Sequence, residues 1–261
     1  MSNSETKTET THNLSTTKFI LSQRDEYFNE LYKIFAEDKN AIFLAVDNGS
    51  PMLDKLVIDM PDQYYQCGIS EQHATGMAAG LAVEGRKVYV YAIAPFLTLR
   101  NAEFVKLDLC AMNTDVVLLA PGASYSYSIM GPTHAQVDDI SFMRSQPNMT
   151  IWSPADATVA IKLAKIVHEQ KGPQYIRFDR AGIPNLYSNL LSDDEIKSGI
   201  LLTKPGNDIM IITTGKFVFE ALKISEQLEK EGLSVGVIDV VKIKSFNYEK
   251  FAELTKNKKI V

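Results

Sequence analysis

The 261-residue sequence predicts an α/β protein, with a mainly parallel sheet flanked by helices and then a smaller α/β domain that we expect to be incomplete. Short β-branched runs alternate with helical patterns along most of the chain. The composition, 45% hydrophobic and 23% charged, is that of ordinary globular proteins. A stretch rich in Pro, Gly, Asn and Asp over 186–206 separates two α/β units, and we expect it to be a linker.

The first unit, expected over 18–185, begins with Ser22 and Asp25, a capping-box pattern in front of a helix with regularly spaced apolar residues. Strand and helix patterns then follow in alternation, with a long loop over 121–137. In chain order they are strand 41–46, helix 70–84, strand 87–94, helix 101–112, strand 115–120, strand 150–152, helix 155–170 and strand 174–178. Strands that are regularly separated by helices favour parallel pairing with both sheet faces covered.

The second unit, expected over 207–261, repeats this pattern with a strand at 208–213, a helix at 216–230, a strand at 233–237 and a helix at 248–255. The last residues, 259–261, resemble the opening of a further strand, so we expect this domain to be partial. At the other end, residues 1–17 contain nine Ser or Thr and almost nothing apolar. Such a segment buries too little apolar surface to fold, and we expect a disordered tail.

Composition also excludes several classes of protein. The net charge is −5 and no basic block carries interleaved aromatics, which argues against a nucleic-acid partner. The longest largely apolar run, Val88–Leu99, is too short to cross a bilayer, and no secretory signal is expected. Cys67 and Cys110 are the two cysteines, without metal-site spacing, so a disulfide scaffold or zinc finger is not expected. These features favour a cytoplasmic protein.

The most informative segment is Gly68–Ala82, with the sequence GISEQHATGMAAGLA. It places Glu71 in the first turn of a helix. Gly76 and Gly80 follow four residues apart, a spacing that would let another backbone approach closely. An acid at a helix start often interacts only with the helix dipole, so this segment alone leaves the role of Glu71 open.

Four motifs together resemble the pyrimidine-binding domain of the transketolase superfamily of thiamine diphosphate enzymes. GISEQHATGMAAGLA is followed by APF at 94–96, then by GPTHAQ at 131–136 with FMRSQPNM at 142–149, and last by IRFDRAG at 176–182. They stand in family order, whereas any one of them alone would be a weak signal. The second α/β unit is similar to the start of the family's C-terminal domain.

This resemblance implies a catalytic role for Glu71. In the family, the corresponding glutamate hydrogen-bonds the aminopyrimidine ring of thiamine diphosphate and shares a proton with a ring nitrogen. The shared proton favours the imino tautomer, whose exocyclic nitrogen removes the proton from the thiazolium carbon.

Two further cofactor contacts follow from the resemblance. Phe96 matches the aromatic residue that stacks on the aminopyrimidine, and Leu99 stands where a second aromatic would be expected; the alternative places Phe96 in the core. Asp47 matches a polar position near the cofactor, although Asp followed by Asn and Gly is also a common turn former.

Substrate contacts are implied for His134 and Arg180. His134 matches the channel histidine of the GPTH motif, where an imidazole donates to a substrate hydroxyl or phosphate. Arg180 matches the arginine that binds a terminal phosphate, for which a planar guanidinium is well suited. The alternative for Arg180 is a surface ion pair with Asp179.

The sequence departs from the family in the donor pocket. Transketolases have Asp directly before GPTH, where it contacts a donor hydroxyl, and this chain has Met130. Upstream, Gly122 and Ala123 replace a transketolase His and the basic residue of deoxyxylulose phosphate synthases. The YSYS stretch, which includes Tyr125 and Tyr127, offers substitute hydroxyls or is an ordinary polar loop. We therefore expect altered donor specificity.

The family's diphosphate-binding domain carries a Gly-Asp-Gly stretch that holds Mg²⁺ and the cofactor diphosphate, and this sequence has no Gly-Asp-Gly. We therefore expect a split enzyme in which this chain is the C-terminal subunit. A separate N-terminal subunit would supply the metal ligands, in a heterotetramer with two copies of each. It would transfer a ketol or related carbon unit from a sugar or sugar phosphate to an aldehyde.

Two other interpretations remain open. The first is a different enzyme of the superfamily, either the β subunit of a 2-oxo acid dehydrogenase or a deoxyxylulose phosphate synthase-like enzyme. The dehydrogenase β subunit has a similar domain order, but GPTH and FMRSQPNM fit transketolase better. A catalytically silent structural or regulatory paralogue is suggested by Met130 and Gly122. The retention of Glu71 counts against a silent paralogue.

Overall fold

The computed structural model describes residues 20–47, 49–179, 182–187 and 191–261. The tail expected over 1–17 lies outside these residues. The described chain contains a six-stranded sheet, a four-stranded sheet and one antiparallel pair of two-residue strands, β1 (Ile20–Leu21) and its partner Ile183–Pro184.

The six-stranded sheet is parallel throughout, which confirms the predicted fold class. Its strands are β2 (Ala41–Ala45), β3 (Tyr64–Gln66), β4 (Lys87–Tyr91), β5 (Val116–Pro121), β6 (Thr150–Trp152) and β7 (Gln174–Phe178). They are arranged in the order β3-β2-β4-β5-β7-β6. Parallel neighbours need a long crossover connection, and helices supply most of these connections.

The helices of this first unit are α1 (Gln23–Glu37), α2 (Pro51–Asp59), α3 (Glu71–Val83), α4 (Ala94–Leu97), α5 (Ala102–Phe104), α6 (Asp139–Ser145) and α7 (Ala157–Glu169). The Ser22 side chain accepts a hydrogen bond from the Asp25 backbone, so it caps α1 as the sequence predicts. α5 continues as a π-helix over Val105–Ala111.

Two apolar layers lie on the two faces of this sheet because successive strand residues point to opposite faces. In β4, Tyr89 and Tyr91 join the cluster that packs on α1 and α7. Val88 and Val90 join the other cluster, which includes residues of α3 and the π-helix. Covered on both faces, the strands are as buried as the sequence predicts.

Several boundaries differ from the sequence expectation. β4 ends at Tyr91 rather than at residue 94, because the short helix α4 begins at Ala94 with Pro95 in its first turn. The pattern did not indicate α2 or β3. β3 is a three-residue edge strand in which Tyr65 is 48% exposed, so it has no buried apolar run to mark it.

The strand Ile183–Pro184, which pairs with β1, is β8. The second sheet contains β9 (Ile200–Lys204), β10 (Ile209–Thr213), β11 (Val235–Val240) and β12 (Lys259–Ile260). Its strands are arranged in the order β12-β10-β11-β9. β9 is antiparallel to β11 and the other pairs are parallel, so this smaller sheet is mixed. Its helices are α9 (Phe217–Lys230) and α10 (Tyr248–Thr255), close to the predicted positions.

Part of the segment expected as a linker is regular structure. α8 (Asp193–Ser198) begins at a capping box formed by Ser192 and Glu195, and β9 follows it directly. The polar composition of α8 and the Pro205–Gly206 pair after β9 gave this segment the pattern of a loop. Buried Ile196 and Ile200 attach it to the rest of the chain.

The parallel sheet brings the carboxyl ends of its strands to one edge. Three of the predicted site residues follow these ends: Glu71 comes after β3, Phe96 after β4 and His134 after β5. In open α/β sheets this edge is where ligands bind. The candidate site therefore lies at this edge.

Candidate active site

Glu71 is a buried acid at the start of α3. Glu71 as a whole is 3% exposed. The turn from β3 to α3 passes through Gly68, whose φ of +67° is a conformation that glycine adopts readily. Ser70 precedes the helix, but its hydroxyl donates to the Cys67 carbonyl at 2.6 Å and makes no capping hydrogen bond to α3. The carboxylate thus lies at the N-terminal end of α3.

Arg100 is the charged partner of this acid. Its Nε lies 3.6 Å from Glu71 Oε2, and the Cζ of the same guanidinium lies 5.7 Å from the centre of the Phe96 ring. The Gln72 side-chain amide donates to the Arg100 carbonyl at 3.2 Å. Arg100 therefore connects the predicted catalytic acid to the predicted stacking aromatic.

His134 joins this group from the loop after β5. Its ring lies 5.4 Å from the Phe96 ring, centre to centre, at an interplanar angle of 77°. Its Nδ1 is 2.9 Å from the Thr133 hydroxyl, which restrains the imidazole. The structure thus brings together three predicted residues, Glu71, Phe96 and His134. Phe96 is half-buried and lies at the site rather than in the core.

Sequence reasoning missed Arg100. The sequence carried little signal for it, because Phe96 lies in α4 and Arg100 lies in the separate 3-10 turn Leu99–Asn101. The backbone of Thr98 between them is not helical, so regular helical spacing does not relate the two residues. Leu99, where a second aromatic was expected, is 50% exposed. The residue that approaches the Phe96 ring is the neighbouring arginine.

The loop after β5 is shaped by the contact between Gly122 and Tyr127. Gly122 has φ +91°, and a Cβ on it would lie 2.2 Å from the Tyr127 ring. Tyr127 is 9% exposed, whereas Tyr125 is 64% exposed. An antiparallel bridge between Ser124 and Gln136 closes the loop. The aromatic ring of Tyr127 therefore fills the space that a side chain at position 122 would need.

Other predicted residues lie apart from the group. Asp47, after β2, is exposed, and Met130 is 54% exposed at the end of a 3-10 turn in the loop. The described contacts join neither of them to Glu71. Arg180 lies outside the described residues, so its proposed phosphate contact and its alternative pairing stay predictions. Asp179 accepts a hydrogen bond from Ser126 and pairs with a lysine of the second unit.

The two glycines of α3 do not have the packing role that their spacing suggested. A Cβ on Gly76 would make only ordinary contacts, 3.8 Å from Phe104 and Asp108 side-chain atoms. A Cβ on Gly80 would meet no atom of the described chain within 4 Å. No backbone of the described chain therefore approaches α3 closely at these positions.

Two features are absent from the described ranges, a metal-binding cluster and a membrane-spanning helix. No group of three or more His, Cys, Asp or Glu side chains among the described residues is arranged to hold a metal ion. Within the same part of the chain, no helix has the length and apolar character needed to span a bilayer.

The chain belongs to the transketolase family. The family model described as "Transketolase, pyrimidine binding domain" matches residues 22–185, and the one described as "Transketolase, C-terminal domain" matches residues 199–261. The first match contains every motif that the sequence analysis used. The family predicted from those motifs is thus confirmed.

Among curated relatives, the chain is 33% identical over 234 residues to a subunit of the apulose-4-phosphate transketolase of Phocaeicola vulgatus, covering 88% of this chain and 74% of the relative. It is 30% identical over 228 residues to the putative transketolase C-terminal section of Methanocaldococcus jannaschii, with 87% and 72% covered. A solved split-gene transketolase, described as an inactive beta4 tetramer, superposes with a TM-score of 0.81 at 26% identity, covering 91% of this chain and 77% of that one.

Proposed function

We propose that this chain is the pyrimidine-domain subunit of a two-subunit transketolase that uses thiamine diphosphate and Mg²⁺. The observation that carries the proposal is the buried Glu71, which Arg100 connects to the Phe96 ring at the carboxyl edge of a parallel sheet. The relatives are named as a transketolase subunit and as a split-gene transketolase, and these names support a partner subunit. In our proposal, that partner supplies the diphosphate and Mg²⁺ ligands and completes each site.

The residues present fit the aminopyrimidine end of the cofactor. Glu71 and Phe96 already share a flat cationic group, the guanidinium of Arg100, so the pair suits a flat ring that carries a proton. Glu71 would bind a ring nitrogen and Phe96 would stack on the ring. When bound, thiamine diphosphate supplies the nucleophilic carbon that adds to the ketose carbonyl.

Each chain residue then has a defined task. Glu71 holds a proton at the ring nitrogen and returns it, and its burial keeps competing water away from that proton. Phe96 fixes the plane of the ring. His134, which contacts the Thr133 hydroxyl and the Phe96 ring, would hydrogen-bond a substrate hydroxyl or phosphate.

Relatives named for apulose 4-phosphate make that ketose phosphate the first donor to test. The acceptor in our proposal is an aldehyde. Arg180 is proposed to bind the phosphate of either substrate.

The test is turnover by the complex reconstituted with its partner subunit. Glu71→Gln should lower kcat by roughly 10²- to 10⁴-fold, because an amide cannot exchange the proton. Glu84→Gln is the matched control, since Glu84 is exposed at the other end of α3, and it should retain wild-type turnover. Turnover of Glu71→Gln within a few-fold of wild type, with the fold intact by circular dichroism, would remove Glu71 from this role.

A further inference from the structure

Arg100 contacts both groups that are proposed to hold the pyrimidine ring. Its Nε is 3.6 Å from the Glu71 carboxylate and its Cζ is 5.7 Å from the centre of the Phe96 ring. The Arg100 side chain is 49% exposed, whereas that of Glu71 is 4% exposed. A flat cation therefore reaches from the protein surface to a buried acid and an aromatic face.

A guanidinium and an aminopyrimidine ring share the features that these two residues recognise. Both are planar, both present N–H donors at their edge, and both stack on aromatic rings. Each would use the face of Phe96 and the carboxylate of Glu71. Arg100 and the cofactor ring therefore compete for the same two partners.

Leaving Glu71 without a cation would also be unfavourable in the free subunit. When a buried carboxylate lacks a partner, no attraction to a cation offsets its unfavourable free energy of desolvation. The contact with Arg100 is loose, since 3.6 Å is longer than a hydrogen bond and the guanidinium is half in water. Such a pair compensates the charge and is easily displaced.

We propose that Arg100 occupies the pyrimidine position in the free subunit and leaves it when thiamine diphosphate binds. This inference rests on the proposed function. Arg100 is a stand-in for the cofactor ring and protects Glu71 until the site is completed. Binding of the cofactor must therefore break the contacts of Arg100 with Glu71 and Phe96, which weakens the observed affinity.

The decisive measurement is the Kd of thiamine diphosphate, by calorimetry in saturating Mg²⁺, for the complex reconstituted with the partner subunit. Arg100→Ala and Arg100→Gln should each bind about two- to fivefold more tightly than wild type, the factor that corresponds to a half-exposed ion pair. Arg86→Ala is the control at the opposite edge of the sheet, just before β4, and should bind like wild type.

The outcomes separate the two proposals. Unchanged or weaker binding by both Arg100 variants overturns the stand-in role, and if Glu71→Gln still weakens binding, the proposed function survives. A wild-type complex that binds no thiamine diphosphate contradicts the proposed function and the stand-in role together.

A second readout needs no cofactor. In the isolated chain labelled with ¹⁵N-arginine, the Nε–H signal of Arg100, assigned by its loss in Arg100→Lys, should shift in Glu71→Gln. The Nε–H signal of Arg86 should stay in place. An Arg100 signal that is indifferent to Glu71→Gln would show that the pair does not form in solution and would overturn the proposal.

Discussion

Met130 stands in the loop that carries His134. Its backbone N–H donates to the Tyr127 carbonyl, and the next residue, Gly131, has φ +86° and accepts from the His134 backbone. The methionine therefore lies directly before the turn that ends at His134. A thioether accepts hydrogen bonds only weakly, so a donor hydroxyl placed against it would be left nearly unpaired.

Met130→Asp should raise the kcat/KM of the reconstituted complex for xylulose 5-phosphate by about fivefold or more, because pairing a hydroxyl contributes roughly 1 to 3 kcal/mol. The measurement is a donor panel that includes apulose 4-phosphate. Ile129→Asp is the control, because this substitution introduces the same charge one residue away, at a position that is 89% exposed. If both variants behave alike, or if wild type already prefers xylulose 5-phosphate, Met130 does not set specificity.

The loop after β5 depends on a glycine at position 122 for two separable reasons. Its φ of +91° is unfavourable for any residue with a Cβ, and a Cβ at this position would also clash with the Tyr127 ring. Gly131 in the same loop has φ +86° but open space around its Cβ position. Comparing the two positions separates backbone strain from the aromatic contact.

Gly131→Ala should lower the free energy of unfolding by about 1 to 2 kcal/mol, the cost of a left-handed alanine. Gly122→Ala should lower the free energy of unfolding by about 1 to 3 kcal/mol more than Gly131→Ala, because its Cβ also overpacks against Tyr127. Urea unfolding of the full chain measures both, and in a double-mutant cycle Gly122→Ala should cost about as much as Gly131→Ala when it is introduced into the Tyr127→Ala background. Equal costs for the two alanines would contradict the packing role of Tyr127.

The strands and helices that the sequence identified correctly are those with buried apolar patterns. β7 was predicted to the residue because Gln174–Phe178 lies between β5 and β6 and is buried throughout. β3, α8 and β9 were missed because short, polar or edge elements have patterns like those of loops. Their structure depends on tertiary contacts that local sequence does not encode.

Motifs identified Glu71, Phe96 and His134, since each lies within a recognisable segment of defined residue types. Arg100 was not predicted, because its contacts with Glu71 and Phe96 depend on the conformation of a long side chain and not on a motif. The same holds for Tyr127, whose position over Gly122 is decided by the fold of the loop. The sequence therefore indicated the candidate site residues better than it indicated which side chains contact one another.

At the scale of the whole molecule, a buried acid of the second unit contacts the segment between the two units. Asp239 of β11 accepts a hydrogen bond from Tyr187 at 2.9 Å, and its other oxygen has no partner among the described residues. Burial raises the pKa of Asp239 well above its usual value, and Asp156 of the first unit adds to this rise while the Tyr187 hydrogen bond opposes it. The folded chain therefore favours the protonated acid.

Because the folded pKa lies above the unfolded value of about 3.9, the contribution of Asp239 to stability is complete below that pH and is lost as pH rises toward the folded pKa. Asp239→Asn keeps the shape without the titration. Relative to this variant, wild type should lose stability in urea unfolding as the pH rises above the unfolded pKa of about 3.9, while the exposed control Asp194→Asn should follow wild type. Parallel pH profiles for wild type and Asp239→Asn would refute the buried-acid account.

The central claim is that this chain holds one half of a thiamine diphosphate site and needs a partner for the other half. The most direct measurement is calorimetric titration of thiamine diphosphate with Mg²⁺ into the isolated chain and into the complex with the diphosphate-domain subunit. We predict weak or undetectable binding by the isolated chain, and Mg²⁺-dependent binding of one cofactor per pair of subunits by the complex. Tight, stoichiometric, Mg²⁺-dependent binding by the isolated chain would contradict the account.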